Sequence, residues 1–165
     1  MGMSVIISEA TEQDVEQIFK LQYLCFQSEA ALYGNYRIDP LVQPLDSVRQ
    51  EVARDCFFVA RLGDEVVGSV RGAVTEDGAA AISRLCVHPR LQGHGIGARL
   101  LRAAESALEE QRGAKRFRLH TGHRSEGNLR LYRKVGYETV GTSQGTDGVP
   151  VIVLEKQAGA YATTA

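Results

Sequence analysis

The 165 residues carry a formal net charge of −1 and are 44% hydrophobic, enough for one substantial core and too few for two ordinary domains. That charge balance excludes an electrostatic nucleic-acid binder, which needs a strongly basic face, and no apolar run approaches the roughly 18 residues that span a bilayer. Cys25, Cys56 and Cys86 sit in apolar segments without metal-ligand or redox spacing, so free thiols, no metal and a reducing, cytoplasmic setting are expected. Nor does the N-terminus suggest a lipid anchor, since Ile6 stands where a myristoylation signal needs Ser or Thr.

Val5-Ile6-Ile7 reads as a short strand, and Thr11-Glu12-Gln13-Asp14 as a capping box opening a helix. Val15, Ile18, Phe19, Gln22 and Phe26 form its inward stripe, and the helix is predicted to end by Leu32. Tyr33 to Pro40, with Pro44 soon after, reads as a polar and aromatic loop, followed by a helix from Leu45 to Arg54. A meander is expected next, with strands over 57–61, 66–74 and 80–87 joined at Gly63-Asp64 and Asp77-Gly78.

The pattern becomes helical at Ile96, with Leu100, Leu101, Ala104, Ala107 and Leu108 facing inward and Gly113 ending the run. Arg116 to Thr121 is a strand, so the last strand of the meander, this helix and 116–121 predict a parallel crossover. Ser125 opens another helix that Gly136 closes, and two strands, 137–142 and 149–156, complete an α/β domain over residues 5–156. Residues 157–165 are expected to form a flexible tail.

Between strand and helix lies Cys86-Val87-His88-Pro89-Arg90-Leu91-Gln92-Gly93-His94-Gly95-Ile96-Gly97-Ala98. Glycines let the backbone pass close to a ligand and converge its N–H groups, and the helix behind adds unpaired N–H groups and the positive end of its dipole. This is an anion seat. Gly93-x-Gly95-x-x-Ala98 formally satisfies the dinucleotide fingerprint, but His88 to Gln92 separate it from the strand, and the next strand ends in His120-Thr121-Gly122 without the acidic residue that ribose binding needs.

Gln92-x-x-Gly95-x-Gly97 after Val87-His88-Pro89 resembles the acetyl-CoA pyrophosphate loop of the GCN5-related N-acetyltransferase (GNAT) family, and Asn128-Leu129-Arg130-Leu131-Tyr132-Arg133-Lys134-Val135-Gly136-Tyr137 resembles that family's later helix. The resemblance implies a GNAT fold, an antiparallel N-terminal meander joined to a β-α-β crossover whose parallel strands splay where the first one bulges. It implies that the N–H groups of Gln92, Gly93, His94, Gly95, Ile96, Gly97 and Ala98 hold pyrophosphate, that pantetheine lies along Leu85, Cys86 and Val87, and that Asn128 bonds it. In many members that Asn falls three positions earlier, where this chain has Ser125, so the contact is open between the two. Arg90 is a further candidate for phosphate charge.

The same resemblance makes Tyr132 the acid that protonates the departing CoA thiolate. It implies acetyl transfer from acetyl-CoA to a primary amine, expected to belong to a small molecule, by direct attack in a ternary complex. A protein or peptide amine and a non-catalytic acyl-CoA sensor are the alternatives. Family members commonly pair through the C-terminal half, so the resemblance admits a homodimer, and the sequence leaves the oligomeric state open. Many members carry a catalytic Glu on the strand before the loop, but here that strand reads Ile82-Ser83-Arg84-Leu85-Cys86-Val87. Glu29, Asp39, Glu76 and His120 stand as candidates for the base. Substrate choice is expected from the loop bearing Tyr33, Tyr36, Arg37 and Asp39, and from 143–148.

Overall fold

The computed structural model describes residues 4–145 and 149–159. Seven strands form one mixed sheet in the order β1-β2-β3-β4-β5-β7-β6. The four N-terminal strands, β1 (Val5–Glu9), β2 (Cys56–Leu62), β3 (Glu65–Val74) and β4 (Ala79–Val87), pair antiparallel in sequence order, with short turns joining β2 to β3 and β3 to β4. The chain then crosses through α5 (Ile96–Arg112) to β5 (Arg116–Gly122), which lies parallel to β4. β6 (Glu138–Gln144) and β7 (Pro150–Gln157) close the sheet, with β7 inserted between β5 and β6.

Alternation along the strands serves two cores. Phe57, Val59 and Val66 face α1 (Val15–Cys25) and α4 (Leu45–Arg54), while Ala60, Val67, Val70 and Ile82 face α5. Helix α5 lies close on β3: a Cβ at Gly72 would stand 2.6 Å from Leu108 Cδ1, and one at Gly68 2.9 Å from Leu100 Cδ1. Glycine at both places lets the helix seat flat and so fixes where its N-terminus points.

Three differences from the sequence reading matter. The first long helix is two helices, because the chain leaves helical geometry at Phe26 (φ −85°, ψ 2°) and resumes as α2 (Gln27–Tyr33), capped by Gly34 at φ +64°. The expected loop contains the short helix α3 (Asp39–Val42), whose Pro40 in the first turn is preset for helical φ and loses no needed hydrogen bond. At the C-terminus, Gln157 belongs to β7 and Ala158 N–H donates to Lys115 O at 2.9 Å, so the ordered chain runs past the predicted boundary; residues 160–165 lie outside the described residues.

One polar group is set into the α5 core. Glu105, 3% exposed, accepts from Lys156 Nζ at 2.9 Å and from the Tyr137 hydroxyl at 2.7 Å. Helix α6 (Glu126–Lys134) packs Leu129 and Tyr132 inward beside this group, and the Tyr132 and Tyr137 rings stand 6.3 Å apart. Among the described residues no helix is long and apolar enough to cross a membrane.

Candidate active site

The β4–β5 ladder stops early. Only Ala79, Ala80 and Ala81 pair with β5, opposite Arg116, Phe117 and Arg118. Beyond them β4 bulges: Arg84 sits at φ +57°, and the register against β3 shifts between Ser69 and Arg71. A left-handed non-glycine residue persists only when its surroundings over-determine it. Here the Arg84 guanidinium donates to Gln43 Oε1 at 2.5 Å and lies 3.6 Å from Glu51 Oε1. Glu51 Oε1 has no hydrogen bond of its own, so that second contact is a charge interaction.

The splayed strands open a cavity of about 830 Å³. Leu85, Cys86 and Val87 form its strand wall; Gln92, Gly93, Gly95, Ile96, Gly97 and Ala98 form its loop wall. Gly93 and Gly95 hold φ values of +86° and +78°, conformations that require glycine. Among the described residues the N–H groups from Gln92 to Ala98 have no protein acceptor, while the Arg99 N–H already bonds Gly95 O at 3.2 Å. These converging donors, at the head of a 17-residue helix, suit an anion. The Gln92 side chain turns back to donate to Val87 O at 3.3 Å, tying loop to strand.

His94 lies at the exposed tip and off the cavity wall, and Arg90 lines a smaller hollow of about 250 Å³ with Leu62, Glu65, Val67, His88 and Leu91. The cations that do reach the main cavity are Arg124, Arg130 and Lys134. The sequence reading missed them, although Arg130 and Lys134 stand four apart on one helix face.

Ser125 and Asn128 both line the cavity. The Ser125 hydroxyl is paired with the Tyr33 hydroxyl at 2.8 Å, which also accepts from Arg124 N–H at 3.0 Å. Asn128 makes one long bond among the described residues, Nδ2 to Thr121 Oγ1 at 3.4 Å. Tyr33 is therefore a latch between α2 and the β5–α6 connection, seated where a Cβ on Gly122 would overlap it. Tyr36, Arg37 and Asp39 are exposed, and none of these four loop residues stands on the cavity wall. A third stretch of the wall comes instead from Cys25, Phe26, Ser28, Glu29 and Leu32, around the break between α1 and α2. No periodicity signals that break, so only Glu29 of this set had been singled out. Of the second loop, Ser143 and Gln144 end β6 and 146–148 lie outside the described residues.

Tyr132 is 6% exposed; its carbonyl accepts from Tyr137 N–H at 2.9 Å, and its hydroxyl makes no hydrogen bond to the described residues. It adjoins Leu131, which is on the wall, but is not itself a wall residue. Burial, and then the charge of Glu29, push its phenol well above the usual range. Glu29 is half-buried, and burial raises its carboxyl. Among the other base candidates, Glu76 sits in the exposed β3–β4 turn, and His120 is off the wall with its imidazole lowered by desolvation and by Arg118. Cys25 and Cys86 are free thiols; the neighbouring Cys86 and then burial raise the Cys25 thiol, and Cys25 Sγ donates to Val87 O at 3.4 Å.

Residues 15–137 match the model of the acetyltransferase (GNAT) family. An acetyltransferase of Pectobacterium atrosepticum is 31% identical over 106 residues, 61% of this chain and 74% of its own. The crystal structure of PaiA N-acetyltransferase from Thermoplasma acidophilum, in complex with coenzyme A, superposes with a TM-score of 0.78 at 18% identity, over 94% of this chain and 99% of that one. YncA of Salmonella typhimurium, solved with its cofactor acetyl-CoA, gives 0.76 at 15% identity over 94% of each chain. An open strand edge leading into unpaired amides at a helix head, in a chain that matches this family over most of its length, places the protein in the GNAT acetyltransferase family as an acyltransferase.

Proposed function

We propose that this enzyme transfers acetyl from acetyl-CoA to a primary amine of a small molecule, by direct attack while both substrates are bound. The observation that carries the reading is the continuity of the free β4 edge at Leu85–Val87 with the unpaired N–H groups of Gln92–Ala98. The edge suits the amides of a pantetheine arm, which would add to it as a strand. The loop suits its pyrophosphate, and Arg130 and Lys134 offer charge for further phosphate. Backbone donors near Cys86 and Val87 would polarise the thioester carbonyl. Asn128 is favoured over Ser125 as the pantetheine contact, because the Ser125 hydroxyl is engaged with Tyr33. Tyr132 would give its phenolic proton to the departing thiolate.

The test is calorimetric titration with acetyl-CoA, with NAD as the control ligand, followed by CoA release against a panel of small amines and a lysine-containing peptide. Micromolar acetyl-CoA binding without NAD binding is expected. Turnover of the peptide alone would move the acceptor to a protein amine. Gly95→Glu should weaken acetyl-CoA binding by more than about tenfold, since one misplaced charge costs over 1.4 kcal/mol beside a phosphate. Gly95→Ala imposes the same backbone strain without the charge and should lose much less affinity. Equal losses in the two variants would remove the loop as the phosphate seat.

A further inference from the structure

The cavity has an acidic group that the family's usual strand position does not supply. Two carboxylates line it, Glu126 and Glu29. Glu126 is exposed at the start of α6, whereas Glu29 is half-buried on α2 and lines the same cavity as Cys86 and Val87. Among the described residues Glu29 makes no ion pair and no hydrogen bond, although every other carboxylate buried to a similar degree in the sheet and its helices is bonded: Asp14 to Arg61, Glu51 and Asp55 to Arg71, Glu105 to Lys156, and Glu155 to Arg118. An unpaired carboxylate is costly to bury, and structures keep one where a ligand will pair with it. Its charge acts on the buried Tyr132 phenol, whose chain neighbour Leu131 shares the cavity wall with Glu29.

We propose that Glu29 binds the acceptor as its ammonium ion and takes its first proton, serving as the catalytic base that β4 lacks. The inference rests on the acetyl-transfer reading above. In the step, one N–H bond of the ammonium breaks and the proton passes to the Glu29 carboxylate. The freed nitrogen lone pair forms the C–N bond to the acetyl carbon as the C–S bond breaks. The sulfur leaves with that electron pair and receives the Tyr132 proton, and the second proton lost by nitrogen restores Tyr132. Glu29 returns its proton to water, so one proton is released per amide formed. The carboxylate also selects the substrate class: a cationic primary amine, with no anionic group close to the reacting nitrogen.

Burial raises the Glu29 carboxyl, so the acid limb of activity should fall above the ordinary carboxylate range, with activity growing as pH rises through it. The other titratable or charged groups on the cavity wall are Glu126, Arg130 and Lys134 of α6, Arg124 before it, Cys86 of β4 and Cys25 of α1, with Tyr132 buried next in the chain to the wall residue Leu131. Glu126, the other carboxylate, is exposed at the start of α6, so the half-buried Glu29 is the group expected to set the limb.

The experiment compares wild type with Glu29→Gln in CoA release, using n-propylamine, protonated at neutral pH, and 2,2,2-trifluoroethylamine, largely neutral there. Glu29→Gln keeps the shape and should leave acetyl-CoA affinity unaltered. Propylamine turnover should fall by roughly 10²-fold with loss of the acid limb, while trifluoroethylamine turnover should fall by less than about tenfold. Equal losses for both amines with an unshifted pH profile would make Glu29 structural and overturn the assignment, as would wild-type turnover in the variant. If wild type binds acetyl-CoA but acetylates neither amine nor any of the panel, the small-amine reading fails and the role of Glu29 falls with it. If Glu29→Gln alone behaves as wild type, only the base assignment fails.

Discussion

Tyr132→Phe should slow CoA release by roughly 10²- to 10⁴-fold and leave acetyl-CoA affinity little changed. The substitution removes one oxygen from a ring packed against Tyr137 in the core, so the helix, the cavity wall and the phosphate loop keep their places. What disappears, on the proposed role of Tyr132, is the proton for the leaving sulfur. Because burial and the Glu29 charge hold the phenol in its neutral form, wild type remains an acid across the whole working range, and its alkaline limb should not report Tyr132. Steady-state thiol release against pH, with calorimetry on both proteins, separates the terms. A variant with unaltered turnover would assign protonation of the thiolate to solvent.

The second large effect is on stability. Glu105→Ala should lower the unfolding free energy by about 3 to 5 kcal/mol, read from urea denaturation, because it leaves the Lys156 ammonium, 5% exposed, without its carboxylate. The Tyr137 hydroxyl loses its acceptor in the same change. Replacing both charges, as in Glu105→Leu with Lys156→Met, should recover most of the loss, since a buried pair and a well-packed apolar pair are often close in energy. A loss in Glu105→Ala below about 1 kcal/mol would show that Lys156 reaches water once released. The triad also has a catalytic consequence. It holds Tyr137, whose ring neighbours Tyr132, so Glu105→Ala should lower turnover even at temperatures where the protein stays folded.

The segments that carry chemistry on the backbone were the most legible. The glycine loop, α5 and α6 are local patterns: positive-φ glycines, a stripe of Leu and Ala, and a Gly at each helix end dictate them within a dozen residues. The meander was legible for the same reason, through strand alternation and paired turn signals. What escaped the sequence was tertiary. The break at Phe26 has no Pro or Gly to announce it, and it decides that Glu29 and Leu32, rather than Tyr36 and Arg37, reach the cavity. Tyr33 looked like a substrate contact because it is aromatic and lies in a polar loop. Its hydroxyl is instead committed to Ser125 and Arg124, 92 and 91 residues away, which no local pattern can show. The Lys156–Glu105 pair is hidden likewise, since a lone Lys in a strand reads as solvent-facing until the opposing helix is placed.

The short parallel ladder has a thermodynamic meaning. Three residue pairs are all that join the two halves of the sheet along β4 and β5, so this seam is where the chain is least cross-braced by its own backbone. A cosubstrate laid along β4 becomes part of the wall, and its binding energy is then folding energy: at one hundred times its dissociation constant a ligand adds about 2.7 kcal/mol. Amide exchange at Leu85–Val87 and across Gln92–Ala98 should slow on adding acetyl-CoA, while β1 and β2 change little. The lifetime of the enzyme would then follow the supply of its own acyl donor, rising when the donor is plentiful and shortening when it is scarce.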